Sequence, residues 1–358
     1  RSIVAKKDVA GYGAKLSNFT FTSAVSSRLQ NRLLCTLFGI LILGSSPTFS
    51  QDFDGAAYLE EVFDLIERHS IRRDSVDLAM LKDSALYQVQ GATEPSACYP
   101  AIQWTLRSLG DRHSFLMPAE RATEWKRPKT ENAQGPPPDF FTFSGKRLGD
   151  YGYVQMRSFG SGNRQDNNRY ADSLHNLLRS LATPEVKGWI LDLRRNGGGN
   201  CWPMLAGIGP LLGHGTCGYF LDANQRKIAW SYKKGSSRAR KTKICKVSGK
   251  PFPLQEELPV AVLWGPGTAS SGEIVAVAFI GREKMKSFGQ PSYGLTTGNG
   301  TFTLSDGAKV FLTSSIYVDR NGQPYGGKLE PDVMVEPNEA GGEDLALFEA
   351  QAWLEQQP

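Results

Sequence analysis

The apolar positions of residues 53–109 recur with helical spacing. Between residues 53 and 90 they fall three and four positions apart, as at Tyr58, Val62 and Ile66, and the stretch 97–109 continues the same pattern. No turn dipeptide interrupts the first of these stretches. The pattern predicts a small N-terminal helical domain over residues 51–117.

Beyond the helical domain the pattern changes to short apolar strands that alternate with helices. Two nearly continuous apolar runs, 188–193 and 258–264, each lead into a glycine-rich turn and then a helix. A repeated order of buried strand, turn and helix predicts an α/β core with its functional loops at the strand ends. Asp192 and Arg194, at the end of the first run, are expected to hold the first glycine turn in place.

We assign this core to residues 118–340 and a C-terminal helix to 341–358. An insertion at about 214–257 is expected to form a hairpin cap, and it is basic, with Lys233, Lys234, Arg238, Arg240, Lys241 and Lys243. It is either a solvated loop, as most charge runs are, or a flap that covers the active site and attracts a substrate carboxylate. Nucleic acid is not an expected partner, because no aromatic residues for base stacking are interleaved with these cations.

The net charge of +5 arises in the first 50 residues, where six basic residues face one acidic residue. The apolar run 33–43 follows two arginines and precedes a small polar stretch that ends at Ser50, which is the order of a secretory signal peptide. We therefore predict an upstream extension plus signal peptide over residues 1–50 and a secreted or periplasmic mature protein. The run is too short to span a bilayer, so no membrane span is expected after cleavage.

Export makes the cysteines beyond the leader candidates for disulfides. Cys217 and Cys245 flank the predicted hairpin and are the pair expected first, with buried free thiols as the alternative. No spacing is typical of a zinc site, and neither glycine turn continues into the Lys and Ser/Thr of a phosphate-binding loop. The sequence therefore predicts neither a metal nor a cofactor.

A candidate nucleophile stands where the apolar run 258–264 turns into a helix. Ser270 lies at this turn, in the segment GPGTASSGE, where the helix N-terminus can hold an oxyanion. The segment is one residue away from the Gly-x-Ser-x-Gly elbow of α/β-hydrolases. Those enzymes place their His after the Ser, whereas all four histidines here precede Ser270. Its base must therefore be an upstream His or a Lys.

His113 is the histidine best placed to be that base. It lies in LGDRHSF, at the exit of the helical domain, where a loop can deliver it to the core. His69 and His175 lie in charged helical stretches and are expected to be solvated. His214 stands at a helix end, where a capping role explains it.

Six motifs in order resemble the C-terminal processing (tail-specific) serine protease family. They span about residues 55–340 and are LGDRHSF, GYVQMRSF, GWILDLRRNGGG, GPGTASSGE, FGQPSYG and YGGKLEPDVMV. The resemblance implies a mixed α/β (α+β) fold, with the helical bundle followed by a ClpP/crotonase-like β/α core. It also implies Ser270 as nucleophile and the N–H groups of Gly198 and Ser271 as oxyanion donors.

The chain departs from the family pattern at two places, and with these departures it resembles a His-using branch without a PDZ domain. That branch includes the tricorn core and the nisin resistance protein. The stretch 118–146 is too short for a PDZ domain, and residues 294–296 read Gly-Leu-Thr where a catalytic Lys is expected. This resemblance makes His113 the general base and Glu273 a supporting carboxylate.

Glu273 has a second interpretation, because Ser270-x-x-Glu273 at a helix start also fits a capping box. In some His-using relatives the supporting Glu lies just before the final Pro-Asp segment. That position is Tyr325 here, with Glu330 close by.

Taken together, these features predict an exported serine endopeptidase that cleaves near the C-terminus of peptides or unfolded proteins. The alternative is a non-catalytic module that binds lipid, retinoid or peptide, since the interphotoreceptor retinoid-binding protein shares the fold. A distance above about 8 Å between His113 and Ser270 would favour the binding module, because a base needs hydrogen-bond reach.

Overall fold

The computed structural model describes residues 53–129, 142–253, 255, 257–337 and 342–358. The predicted leader, residues 1–50, lies outside these ranges. The described helices are α1 (Gly55–His69), α2 (Leu78–Gln88), α3 (Pro95–Ser108), α4 (Ala119–Lys126), α5 (Arg164–Leu181), α6 (Cys201–Leu212), α7 (Ser271–Phe279) and α8 (Leu345–Glu355). The described strands are β1 (Phe115–Met117), β2 (Phe143–Leu148), β3 (Tyr151–Met156), β4 (Gly188–Asp192), β5 (Gly215–Asp222), β6 (Lys227–Lys233), β7 (Ser236–Ala239), β8 (Thr242–Lys246), β9 (Val260–Trp264), β10 (Met285–Gly289), β11 (Thr297–Thr303), β12 (Lys309–Asp319) and β13 (Val333–Met334).

Helices α1 to α3 form the predicted N-terminal bundle. Asp54 and Asp77 cap α1 and α2 by accepting backbone N–H groups, and Pro95 opens α3 at a position that needs no N–H donor. The apolar faces of the bundle share one core with β1 and with the β11–β12 hairpin, through residues such as Val310 and Leu312. The bundle therefore fixes the position of the strand that follows His113.

A largely parallel sheet forms the predicted β/α core. Its strand order is β13-β10-β9-β4-β3-β2, and only the β2–β3 pair is antiparallel among these described strands. Every residue of β4 and β9 is buried, because α5, α6 and α7 cover one face of the sheet and α8 covers the other. The carboxyl ends of β4 and β9 lie side by side, so the two glycine-rich turns that follow them meet at one edge. The predicted α/β class is confirmed.

The second sheet is antiparallel, with order β1-β12-β5-β6-β7-β8 and β11 paired on β12. The predicted insertion at 214–257 supplies β5 to β8, so it extends a sheet by four strands rather than forming a single hairpin. Every helix in the described ranges is too short or too polar to cross a bilayer.

The predicted Cys217–Cys245 disulfide is wrong for this structure, in which both thiols are free and buried. Cys217 lies on β5 and Cys245 on β8, three strands away in the sheet. Three strand spacings amount to about 14 Å, whereas a disulfide requires Cα atoms within about 7 Å. The Cys245 thiol instead donates to Asn168 Oδ1 at 3.4 Å. The alternative of buried free thiols describes the structure.

Candidate active site

Ser270 stands at the N-terminal end of α7 with a strained backbone. Its φ of 50° and ψ of −115° lie in a region that residues other than glycine rarely adopt. The preceding residues tie this turn to the end of β4: Ala269 donates its N–H to Asn196 O at 3.0 Å, and the Thr268 hydroxyl donates to Leu193 O at 2.8 Å. These bonds hold the strained conformation and present the hydroxyl of Ser270 at the edge of the sheet.

His113 lies within hydrogen-bond reach of Ser270. Its Nε2 is 2.9 Å from Ser270 Oγ, and its Nδ1 is 2.7 Å from Thr297 Oγ1. The Thr297 hydroxyl can accept a hydrogen bond from Nδ1–H, and in that tautomer the lone pair of Nε2 faces the serine. The chain therefore forms a Ser-His-Thr array in which a neutral hydroxyl contacts the second imidazole nitrogen.

Asp111 fixes the backbone that carries His113. Its carboxylate accepts the backbone N–H groups of His113 and Ser114, both at 2.8 Å, and the hydroxyl of Ser114. From β11, the Asn299 side chain donates to the carbonyl of His113 at 2.8 Å. The imidazole is thus held by contacts to both its ring and its main chain.

Burial lowers the pKa of His113, and the charge of Asp111 offsets part of that effect. A lowered pKa keeps the imidazole neutral near pH 7, which is the form that accepts a proton. The electrostatics of the site therefore favour His113 as a general base.

Glu273 is fully buried and contacts the backbone of Ser270 rather than the imidazole. Its Oε2 accepts the Ser270 N–H at 2.8 Å, while its Oε1 accepts the Ser292 hydroxyl and the Gly294 N–H. Burial raises its pKa, although these hydrogen bonds favour the charged form. These contacts match the carboxylate half of a capping box and tie the backbone of Ser270 to the loop at 292–294.

Neither alternative carboxylate position contacts the imidazole. The Tyr325 hydroxyl donates to Asp319 at 3.0 Å, and Glu330 is exposed.

The two predicted oxyanion donors lie next to Ser270. A Cβ atom on Gly198 would come within 2.9 Å of Ser270 Cβ and 3.2 Å of Ser271 N, and the φ of Gly198 is 107°, so the position requires glycine. The Ser271 hydroxyl donates to Gly199 O at 2.8 Å and joins the two turns. The N–H of Gly198, however, already donates to Asn196 Oδ1 at 3.1 Å.

Asp192 and Arg194 hold the first glycine turn, as their position at the end of β4 indicates. The Arg194 guanidinium donates to the buried Asp192 at 2.8 Å and, on its other side, to Asp344 at 2.7 Å. Asp344 caps α8 by accepting the Leu347 N–H. The C-terminal helix is therefore linked to the turn that faces Ser270.

A cavity of about 790 Å³ opens onto Ser270 and His113. Its walls are rich in large apolar side chains, namely Phe115, Met117, Trp125, Trp202, Phe220, Ile228, Ile274, Leu295, Phe302, Phe311 and Tyr317. The insertion reaches this cavity with residues of β5, β6 and their turn. None of its six predicted flap cations is among the described lining residues, which favours a solvated location for them.

Two histidines differ from the expectation of solvated helix residues. His69 lines the cavity and stacks on Phe302 at 4.7 Å. His175 is 2% exposed and bonds to Gly207 and Phe252.

Thr297 is the site residue that sequence reasoning missed. A single threonine in a strand belongs to no motif, and only the pairing of β11 with β12 brings it opposite His113. Within the described ranges, no group of three or more His, Cys, Asp or Glu residues could hold a metal ion.

The sequence profile of peptidase family S41 matches residues 150–335, more than half of the chain. The nisin-resistance protein of Lactococcus lactis is 29% identical over 268 residues, which are 73% of this chain and 77% of that protein. A carboxy-terminal-processing protease of Bartonella bacilliformis is 27% identical over 57% of this chain, which spans 43% of that relative.

Solved structures share the fold. A lipoprotein from Streptococcus agalactiae has a TM-score of 0.66 and 24% identity, and the match covers 85% of this chain and 96% of that one. The photosystem II D1 C-terminal processing protease has a TM-score of 0.51 and 16% identity, over 80% of this chain and 94% of that one. With the family profile across the β/α core and serine and histidine in contact at its edge, the chain belongs to peptidase family S41, a family of serine proteases.

Proposed function

We propose that the protein is an exported serine endopeptidase that hydrolyses peptide bonds near the C-terminus of peptides or unfolded proteins. The observation that carries the proposal is the 2.9 Å contact between Ser270 Oγ and His113 Nε2 inside a peptide-sized cavity. This distance is far below the separation that would favour the non-catalytic binding module. The names of the carboxy-terminal-processing relatives support the preference for chain ends.

In the proposed reaction, His113 Nε2 removes the proton of Ser270 as Oγ attacks the substrate carbonyl. The oxyanion forms beside the N–H of Ser271, the first residue of α7, where the helix dipole favours negative charge. Gly198 supplies the second N–H once that group leaves Asn196 Oδ1. The imidazolium then returns its proton to the leaving amine, and water releases the acyl group through the same base.

Thr297 and Glu273 are positioning residues in this proposal. The Thr297 hydroxyl accepts a hydrogen bond from Nδ1–H of His113 and orients the ring. Glu273 holds the main chain of Ser270 and the loop at 292–294, which leads into β11 and Thr297. The carboxylate of the Ser-His-Glu set thus acts through the backbone of the nucleophile.

Export rests on the leader pattern of residues 1–50, and the relatives that match the β/α core are compatible with it. Fractionation of cells that express the full chain tests this part separately. Recovery of the unprocessed chain in the cytosol alone would contradict it.

Substituting Ser270→Ala tests the catalytic assignment. We expect it to abolish both peptide cleavage and covalent labelling by a fluorophosphonate, because the acyl-accepting oxygen is gone. Ser84→Ala, at an exposed serine on α2, is the matched control and should retain both. Cleavage that persists in Ser270→Ala would overturn the assignment.

A further inference from the structure

Three aromatic side chains form a continuous wall of the cavity beside the proposed base. The rings of Phe115 and Phe311 stack with centroids 4.5 Å apart and planes within 7°, and Trp125 meets Phe311 edge-on at 5.8 Å. Strand pairing sets this arrangement, because Phe115 on β1 lies opposite Phe311 on β12. We call Phe115, Phe311 and Trp125 the aromatic wall.

All three residues of the aromatic wall line the cavity that contains Ser270 and His113, and Phe115 is close to His113 in the sequence. Phe115 follows His113 by two positions, which is about 7 Å along an extended chain. A bound extended peptide also covers about 7 Å over two residues, so we infer that the wall faces substrate side chains about two positions from the scissile bond.

The wall is rigid and yet open to solvent. Phe115 remains 45% exposed, although it packs against another ring. The main chain at Gly162 packs closely against the Trp125 indole, because a Cβ atom at this position would come within 2.5 Å of the ring. Covering an ordered apolar surface of this kind with a second apolar group is favourable, because apolar area is removed from water. The rings are already packed, so they lose little conformational entropy when the group binds.

The charged side chains that line the same cavity already have partners. Arg68 forms an ion pair with Asp64 at 3.1 Å, and Arg226 forms one with Asp222 at 2.8 Å. Among the described residues that line the cavity, the arginines are therefore already paired and do not compete with the apolar surface of the aromatic wall.

We propose that the aromatic wall is a substrate subsite that binds an aromatic or aliphatic side chain about two residues from the scissile bond. This inference rests on the proposed peptidase function, and it adds that the substrates are apolar-containing peptide segments. The preference follows from area buried against Phe115 and Phe311, so it extends to Leu and Phe alike and excludes Asp.

Binding to the Ser270→Ala protein tests the subsite without turnover. Fluorescence anisotropy would compare unstructured peptides that are identical except for Phe, Leu or Asp at one position, scanned along the peptide. At one position we expect Phe and Leu to bind about tenfold more tightly than Asp, as burial of one such side chain predicts. Equal affinity for all three at every position would overturn the proposal.

Variants of the wall identify where the preference arises. In the Ser270→Ala background, Phe115→Ser should reduce the preference to within about twofold, whereas Phe115→Leu should retain it because the surface stays apolar. Tyr87→Ala, at an aromatic residue that is 74% exposed on α2, is the matched control and should change nothing. If Phe115→Ser does not fold in a thermal unfolding assay, Trp125→Ser gives the same comparison. A preference that survives loss of the wall would overturn the proposal.

The two proposals fail in different ways. Loss of fluorophosphonate labelling in the protein with Ser270 intact would contradict the catalytic assignment, while the binding preference would still support the subsite. Normal labelling and cleavage together with no effect of Phe115→Ser would contradict the subsite alone.

Discussion

Thr297 occupies the place beside His113 where serine proteases of the Ser-His-Asp type have a carboxylate. A hydroxyl can accept a hydrogen bond from Nδ1–H of the imidazole, but it carries no charge to stabilise the imidazolium that the proposed mechanism forms. Burial then dominates the basicity of His113, and its pKa is lowered. In the proposed mechanism His113 is therefore a weaker base than the histidine of a triad, and we expect it to stay deprotonated at a lower pH.

Substituting Thr297→Val should lower kcat by about 10- to 100-fold, because it leaves the buried Nδ1–H without an acceptor. KM should change little, since Thr297 acts on the base. Thr297→Ser keeps the hydroxyl and should restore most of kcat. Steady-state kinetics of the three proteins check this, and a Thr297→Val enzyme with normal kcat would exclude the positioning role.

The pH dependence of kcat/KM separates the roles of Thr297 and Glu273. The acid limb of the unmodified enzyme should lie below the ordinary His pKa of 6.5, because burial lowers the pKa of His113. Thr297→Asp would place a carboxylate at Nδ1 and move the limb to higher pH.

Glu273→Gln should leave the limb where it is, since Glu273 bonds to Ser270 N–H and not to the ring. A limb displaced by Glu273→Gln as far as by Thr297→Asp would instead support a direct Ser-His-Glu triad.

At the scale of elements, burial explains which predictions succeeded. The runs 188–193 and 258–264 predict β4 and β9 closely, because strands covered on both faces are apolar throughout. Helix α5 begins at Arg164, because Asn163 caps it by accepting two backbone N–H groups. The local sequence pattern thus predicts an element well when all of its residues share the same degree of burial, as in β4 and β9.

Pairing between distant strands was not predictable in the same way. The Cys217–Cys245 pairing failed because the sequence does not show that β6 and β7 lie between their strands. Contact between Thr297 and His113 likewise depends on how β1 and β11 flank β12. His113 and Ser270 were predictable as candidates because each lies in a motif at an element boundary.

His175 connects α5, α6 and the segment after β8, and it makes their packing pH-dependent. Its Nε2 accepts the Phe252 N–H at 2.6 Å, so Nδ1 carries the proton and faces Gly207 O at 3.3 Å. Burial lowers its pKa, and the Gly207 bond opposes that effect. The pKa of His175 is lower in the folded protein than in the unfolded chain. The neutral imidazole therefore contributes its full stabilisation at pH values above the unfolded-state pKa. That stability is lost as the pH falls from about 6.5 through the folded-state pKa.

We expect the free energy of unfolding to drop between pH 7.5 and pH 5.5, and His175→Gln should make this drop smaller. Urea titrations at the two pH values measure it. His214→Gln, at an exposed histidine, serves as the control. An equal drop in the His175→Gln and unmodified proteins would contradict the role of His175.

At the scale of the whole described molecule, the site takes its parts from both sheets. The parallel sheet supplies the two turns around Ser270, and the antiparallel sheet supplies Thr297 and the aromatic wall. Helix α8, near the end of the chain, joins this arrangement through Asp344, which accepts two hydrogen bonds from Arg194. Alignment of the reacting groups thus depends on packing far from the cavity.

Asp344→Ala should lower stability by about 2 kcal/mol, because it removes both a helix cap and the partner of a half-buried guanidinium. Asp344→Asn keeps the cap and should lose about half as much. Thermal and urea unfolding measure both variants. An unchanged midpoint for Asp344→Ala would show that α8 is held by its apolar face alone.

The wide separation of His113 from Ser270 and Thr297 along the chain has a consequence for biosynthesis. His113 is translated first, while Ser270 with its strained turn and the β11–β12 hairpin that completes the core of the N-terminal bundle come much later. If the proposed site is correct, peptide hydrolysis therefore cannot begin until residues through β11 have emerged from the ribosome, because Thr297 lies on that strand. We expect a nascent polypeptide that ends before β11 to be inactive.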